Sequence, residues 1–547
     1  MKKLLVKHWP FFISAAALWI VVGITLLISL RLHEGHFVYA LDDPYIHMAM
    51  AKNFSQAGTW GISKNEFNST SSSVLWTFLL SSVYYITGVH EKTPFILNLI
   101  SATLTLLLVH LLLLREKCDA WVSAIVLFGI AFITPFPALI FGGMEHSLQT
   151  LLVVAFIFLA ARVIAAEPNA AVRKNIIALL VIAPLVVLVR FEGLFLVFIA
   201  WILLLLRRRW AFSTAFGLTA VIPLALYQAS AVARGWFWLP NSILIRANLV
   251  REIAHSDNPN RESAFAVAGR VAHFFSKSYV NIGNEPLLLF LLIGIVLLLF
   301  FRLRGQRVFW QEKQLMLTMF LGTAVFHLLL SGVGQFYRYE AYLVGAGLLL
   351  ICVNIGTAIP ETARNAKAFR GGAILALILL AFVERGLPSL RQIPIATTNI
   401  YEQQYQTARF LSRFYQNASV AANDVGAICY YANIDCFDLM GLANLYVARK
   451  RLAGEYDSRQ LYTMTRMKDV TIAVAYEKWF ERPDFGGLPS EWSKVGEWEI
   501  ENNIVCAGEI VSIYAVDLSA RKTLISSLEQ FAADLPPTVR QRIYFTE

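Results

Sequence analysis

Apolar runs of about 20 residues recur along this chain from Trp9 to Glu384, and each is long enough to cross a bilayer core of about 30 Å as a helix. No single soluble domain buries so many runs of this length. Composition agrees: charged residues are 15% of the chain, against about 25% in soluble domains, and the mean hydropathy is +0.57. The first run, from Phe11 to about Leu30, follows "MKKLLVKHW". It is longer than a signal-peptide core and no small-residue cleavage site follows it, so a retained span is expected.

Basic loops orient such a chain. Clusters lie at Lys2/Lys3/Lys7, Arg115/Lys117, Arg162/Arg173/Lys174, Arg207/Arg208/Arg209, Arg302/Arg304/Arg307 and Arg364/Lys367/Arg370. If all are cytoplasmic, an even number of spans separates each from the next. Residues 119–138 with 146–166, 211–233 with 285–302, and 312–331 with 340–358 form such pairs. Residues 175–206 form a helical hairpin with "RFEG" at its outer tip. The serine-rich stretch 72–87 is expected to lie in the outer interface, with 93–114 as the second span. The expected fold class is an α-helical polytopic membrane protein of about eleven transmembrane helices, its N-terminus cytoplasmic.

A last span at about 371–386 delivers the rest of the chain to the outer side. The expected domains are therefore 1–386, a transmembrane catalytic module, and 387–547, a small extracytoplasmic α/β domain of about 160 residues. Within it, "TIAVAY" and "IVSIYAV" read as strands, "QQYQTARFLSRFYQ" as a helix, and 420–444 as short β-type runs separated by Asn, Asp and Gly turns. Its acids Asp424, Asp435 and Asp438 sit at turn-like positions and suit acceptor binding. Cys429 and Cys436 read either as a disulfide or as buried thiols. No metal-type Cys/His spacing and no Walker A motif are present. The net charge of +10 follows from the loop bias and does not call for nucleic acid.

Five outer connections carry polar groups: "LDDPYIH" (41–47), "GGMEHS" (142–147), "VRFEG" (189–193), "WLPNSILIRAN" (238–248) and "GQFYRYEAY" (334–342). Ionisable residues at an apolar slab are costly and tend to be functional. Asp42 and Asp43 are the catalytic candidates. Glu145, His146, Arg190, Glu192, Asn241, Arg246, Tyr337 and Arg338 are the substrate-binding candidates. Each also has a plain structural reading: Glu145 and His146 as a helix start, Arg190 with Glu192 as a pair at the hairpin tip, Arg338 with Glu340 as a surface pair, Asn241 as a turn residue, Arg246 as a solvated loop charge. Asp followed by Pro starts helices well. Asp43 is therefore expected to cap the helix that Pro44 begins, leaving Asp42 free to point elsewhere.

The stretch "DDPYIHMAMAKNFSQAGTWGISKNEFNSTSSSVLWTFLL" (42–80) resembles the first outer loop of the GT-C superfamily, membrane glycosyltransferases that use lipid-phosphate sugars. "GGMEHSLQ", "VRFEGL", "LPNSILIRAN" and "NDVGAICYYANIDCFDLMGLAN" are similar, in the same order, to further stretches of bacterial members. Terminal arabinofuranosyltransferases of actinobacterial cell walls are the nearest in pattern; protein O-mannosyltransferases and lipid A aminoarabinose transferases are more distant. Phe191 stands where these proteins carry Pro and His146 where they carry Thr, so the pattern does not specify the sugar. The resemblance implies a bacterial inner (plasma) membrane enzyme. Its donor would be a polyprenyl-phosphate sugar, arabinofuranose or another pentose or hexose, and its acceptor an envelope glycan, lipid or protein.

That chemistry needs a base for the acceptor hydroxyl and cations for the leaving phosphate. Asp42 is the candidate base, and Arg190, Arg246 and Arg338 suit the phosphate. One displacement inverts C1. No cofactor is required; a divalent cation would suit the Asp42/Asp43 pair. The rival classes are a transporter or channel with an outer polar cavity, and an en-bloc oligosaccharide transferase or glycan ligase.

Overall fold

Past Pro10 nothing interrupts the first apolar run, and Lys2–Leu32 forms one helix, α1. The structure, a computed structural model, describes residues 2–167, 173–241, 244, 279–305, 309–358, 366–482 and 485–545. After α1 the described helices are α2 (Asp43–Ala57), α3 (Val74–Thr87), α4 (Thr93–Arg115), α5 (Ala120–Ile133), α6 (Phe136–Gly142), α7 (His146–Ala165), α8 (Arg173–Val189), α9 (Gly193–Leu206) and α10 (Trp210–Val232). They continue as α11 (Pro286–Gly305), α12 (Glu312–Leu330), α13 (Ala341–Ala358) and α14 (Ala366–Ala381).

Among the described residues eight helices are long and apolar enough to cross a membrane: Lys7–Leu32, Thr93–Arg115, Ala120–Gly142, His146–Ala165, Trp210–Val232, Pro286–Arg304, Glu312–Leu330 and Gly371–Phe414. The chain is a multi-pass, mainly helical membrane protein with a small C-terminal sheet. The other three expected spans are shorter helices: α8 has 17 residues, α9 has 14, and the apolar part of α13 is Ala341–Ile355. The last expected span does not end at 386. Its helical run continues through a π-turn (Phe382–Gly386), α15 (Leu387–Ile400), a second π-turn (Tyr401–Tyr405) and α16 (Gln406–Phe414). At 1.5 Å per residue, the 44 residues of Gly371–Phe414 reach about 66 Å, twice a bilayer core.

Contacts divide the chain into two compact units. The first comprises Met1–Leu27, Pro94–Leu226 and Glu262–Gln392; the second comprises Ile28–Thr93, Tyr227–Arg261 and Ile393–Glu547.

The first unit is helical. Its core is aliphatic and aromatic, with Phe132, Phe136, Phe141, Phe156 and Phe216 fully buried. α5 starts where the Asp119 carboxylate accepts the Trp121 N–H at 2.9 Å. α6 ends at Gly143, whose φ of 66° suits a residue without Cβ.

The second unit carries a six-stranded sheet of order β2-β1-β3-β5-β4-β6. Its strands are β1 (Ser419–Ala422), β2 (Asp435–Asp438), β3 (Ile472–Ala475), β4 (Ser493–Glu499), β5 (Ile510–Ala515) and β6 (Arg540–Ile543). β1 pairs with β2 and β3 in parallel; the β3–β5, β5–β4 and β4–β6 pairs are antiparallel. One face packs Trp498, Phe410 and Phe531, the other Tyr456, Phe480 and Trp492. Between β1 and β2 runs α17 (Gly426–Tyr431), and α18 (Leu445–Leu452) follows β2. A small apolar cluster of Ile46, Met50, Ile62 and Val425 joins α2 to the start of α17.

Candidate active site

The second unit holds the paired acids. α2 begins at Asp43, so Asp43 is its first helical residue rather than its cap. The cap position falls to Asp42, whose side chain makes no capping bond to α2. This corrects the expectation for Asp43. Asp42 does point elsewhere. Its Oδ2 accepts the Gly426 N–H and its Oδ1 the Ala427 N–H, both at 2.8 Å. The carboxylate thus satisfies the first two amides of α17. A Cβ on Gly426 would lie 2.2 Å from the Asp42 carbonyl oxygen and 2.5 Å from Oδ2, so only glycine permits this approach.

Asp424, two residues past β1, joins the same cluster. Its Oδ2 accepts from Gln404 Nε2 at 2.9 Å. Gln404 is held in turn by the Tyr476 hydroxyl at 2.9 Å and by the Cys506 thiol, which donates to Oε1 at 3.2 Å. Gln404 lies in the second π-turn, a distortion that recurs at functional positions. Burial raises the Asp42 carboxyl to about 8; the charges of Asp424 and Asp43 add to the rise, and the two amides offset part of it. Burial also raises Asp424, to about 6, with Asp43 and Asp438 contributing. Asp438 is fully buried and accepts from the Met440 and Ala443 amides at 2.8 and 2.6 Å, which shapes the loop after β2. Asn241 is buried and donates to the Gly441 carbonyl at 2.8 Å. It anchors that loop, a tertiary role beyond a turn. Arg246 lies outside the described residues.

The first unit gathers Glu145, His146, Arg190, Glu192 and Arg338. Arg190 spans both glutamates: Nη2 and Nε bond Glu192 at 2.7 and 3.1 Å, and Nη1 bonds Glu145 at 3.1 Å. Ser331 Oγ donates to Glu192 at 3.2 Å. The Tyr339 ring serves three neighbours: Arg190 lies 5.4 Å from its centroid, Arg338 5.0 Å, and His146 stacks on it at 6.1 Å. Glu145 holds the cap position of α7 but bonds Arg190 instead of capping.

Arg338 and Glu340 are not a surface pair; both are buried. Glu340 pairs with Arg385, which also pairs with Glu285 and donates to the Tyr337 carbonyl at 2.8 Å. Tyr337 closes a left-handed turn, with positive φ at Gly334, Gln335, Phe336 and Tyr337. Beside this cluster an apolar groove of about 650 Å³ runs between α9, α10 and α12, lined by Leu194, Phe198, Trp201, Leu218, Val221 and Leu330. Leu330 precedes Ser331 and Leu194 follows Gly193, so the groove reaches the residues flanking the Glu192–Ser331 bond. Among the described residues no three His, Cys, Asp or Glu side chains gather as a metal site.

Residues 398–514 match a family described as a domain of unknown function, DUF8728. No curated protein matches the chain. Solved structures are similar to it. An oligosaccharyltransferase of Archaeoglobus fulgidus is 14% identical with a TM-score of 0.47, over 95% of this chain and 74% of that one. ArnT from Cupriavidus metallidurans, bound to undecaprenyl phosphate, is 12% identical with a TM-score of 0.48, over 92% of this chain and 98% of that one. The mycobacterial arabinofuranosyltransferase AftD is 12% identical with a TM-score of 0.38, over 92% of this chain and 40% of that one.

Arg385, Glu285, Gln404 and Tyr476 were not among the sequence candidates. For Arg385 and Glu285 a signal existed, since an arginine inside a span and an acid at a span's first residue need partners. Gln404 and Tyr476 carried none.

Proposed function

We propose that this chain is a membrane glycosyltransferase that moves one sugar from a polyprenyl-phosphate donor to a cell-envelope acceptor, with inversion at C1. The observation that carries this reading is Asp42: a carboxylate fixed by two backbone amides, with a raised proton affinity, in a cluster with Asp43 and Asp424. Each carboxylate oxygen has two lone pairs, and the amides use one on each, so Asp42 keeps capacity to take a proton. In the reaction the acceptor O–H gives its proton to Asp42 and its oxygen attacks C1. The bond from C1 to the phosphate oxygen breaks, and polyprenyl phosphate leaves.

In the first unit, the groove of α9, α10 and α12 suits an isoprenoid chain, since its wall is apolar and Phe198 and Leu218 are exposed. Arg338, buried against Tyr339, is assigned to the donor phosphate. Arg190 holds Glu145 and Glu192 in place for the donor, and its fork is engaged by them. Whether Asp42 and Asp43 hold a divalent cation is tested by chelation. The sequence resemblance to terminal arabinofuranosyltransferases makes an arabinofuranosyl donor the first to try, and supports a bacterial inner membrane as the location.

The test is a product assay with purified protein and radiolabelled polyprenyl-phosphate sugars. Transfer of a single sugar with inverted anomeric configuration supports the proposal. Transfer of a whole oligosaccharide from a diphosphate carrier, or no transfer from any donor, removes it.

A further inference from the structure

The second unit has a polar cavity of about 320 Å³ in which the loop after α2 meets the sheet. This volume is at the lower end for small-ligand sites. Glu66 and Asn68 line one side; Asp435, Tyr446, Arg449 and Lys468 line the other. Asp435 and Asp438 are the two ends of β2, so the cavity begins about 10 Å from the acid cluster that Asp438 adjoins, at 3.3 Å per residue.

The lining is selective in charge. Two acids, Glu66 and Asp435, balance two bases, Arg449 and Lys468, and Lys468 Nζ lies 3.7 Å from Glu66. A phosphate or polyanion would meet as much repulsion as attraction here. A neutral ligand rich in hydroxyls would find carboxylate acceptors, guanidinium and ammonium donors, and the Asn68 amide. It would also find a flat apolar face: Tyr446 is 53% exposed, and its backbone N–H is fixed by Asn444 Oδ1 at 3.1 Å at the start of α18. Arg449 is oriented by its bond to the Gly235 carbonyl at 2.8 Å. Aromatic face plus paired donors and acceptors is the recognition chemistry of a sugar ring.

We propose that this cavity binds the distal units of a neutral oligosaccharide acceptor, with the Tyr446 ring stacked on one sugar and Asp435 bonding its hydroxyls. The proposal rests on the glycosyltransferase reading for the word acceptor, but its binding claim stands without the donor.

The experiment is saturation-transfer NMR and calorimetric titration of the full chain in detergent, without donor. The probes are neutral pentose and hexose oligosaccharides of two to four units. At least one is expected to bind saturably, and binding is expected to weaken tenfold or more in both Tyr446→Ala and Asp435→Asn. Both side chains are exposed enough for the variants to keep the wild-type Tm, which is measured alongside. Lack of binding by every oligosaccharide overturns the proposal. So does equal binding by both variants, or tighter binding of a phosphorylated oligosaccharide than of its neutral parent. Oligosaccharide binding without sugar transfer from any donor would overturn the transferase reading and leave the cavity assignment standing.

Discussion

Asp42 and Gly426, 384 residues apart in the chain, meet through a 2.8 Å hydrogen bond from the Gly426 amide to the Asp42 carboxylate. The contact fixes both partners. Asp42 gains a defined orientation, and α17 gains an acceptor for its first amides. Gly426→Ala would place a Cβ 2.2 Å from the Asp42 carbonyl oxygen, where backbone has to move. Overpacking of this kind costs roughly 1–3 kcal/mol. The expected outcome is a Tm several degrees lower with sugar transfer reduced in parallel. A variant with wild-type Tm and rate would show that the contact is unimportant.

The acid cluster sets opposite pH trends for stability and rate. The folded Asp42 carboxyl is raised from 3.8 to about 8, so the folded protein holds a proton that the unfolded chain releases. Its contribution to stability is therefore greatest at low pH and falls as pH rises from about 4 to about 8. Transfer needs the unprotonated base, so the rate rises over the same window, with apparent values near 6 and 8 belonging to the cluster as a whole. Thermal melts and rates from pH 5 to 9 check both signs. A rate that falls while stability rises would contradict the assignment.

Two arginines of the first unit should separate. Arg190→Ala leaves the buried Glu145 and Glu192 without their shared cation, a loss of roughly 3–5 kcal/mol. Folded yield should drop sharply. Arg338→Lys keeps the charge and loses the planar fork. It should fold normally and raise the donor KM about tenfold, equivalent to about 1.4 kcal/mol. An unchanged donor KM in Arg338→Lys would take Arg338 out of the phosphate site.

The lipid groove predicts an effect of chain length. Ala225 lines it, and Ala225→Trp would fill part of its volume. KM for a long-chain donor should rise about tenfold, while a donor with a short isoprenoid chain should be used as by wild type. Equal KM changes for both would place the isoprenoid elsewhere.

The spans were legible because a 20-residue apolar run is a local signal of length and composition, and the Asp–Pro pair marked the start of α2 to within one residue. What was missed is tertiary. Nothing near Asp42 names Gly426 as its partner, and a six-residue helix such as α17 has no periodicity to read. β4 and β6 were missed because Lys494, Glu497, Glu499, Arg540 and Arg542 mask any apolar alternation. These charges pair instead: Arg542 reaches Glu497 and Glu499 at 2.8 and 2.9 Å, and Lys494 reaches Glu497 at 2.7 Å. The last helix outran its expected end because Arg385, polar enough to read as a boundary, is buried in an ion-pair network with Glu285 and Glu340.

The most direct test of Asp42 as the base is single-turnover transfer by Asp42→Asn with bound, radiolabelled donor. Asn keeps one acceptor for the α17 amides but turns its NH2 toward the other, so stability should fall by roughly 1–3 kcal/mol. Loss of proton acceptance should lower the transfer step itself by roughly a hundred- to ten-thousand-fold. The expected result is a folded, donor-binding protein that transfers almost nothing, while Asp43→Asn retains much of its rate. Transfer by Asp42→Asn at the wild-type rate would contradict the account.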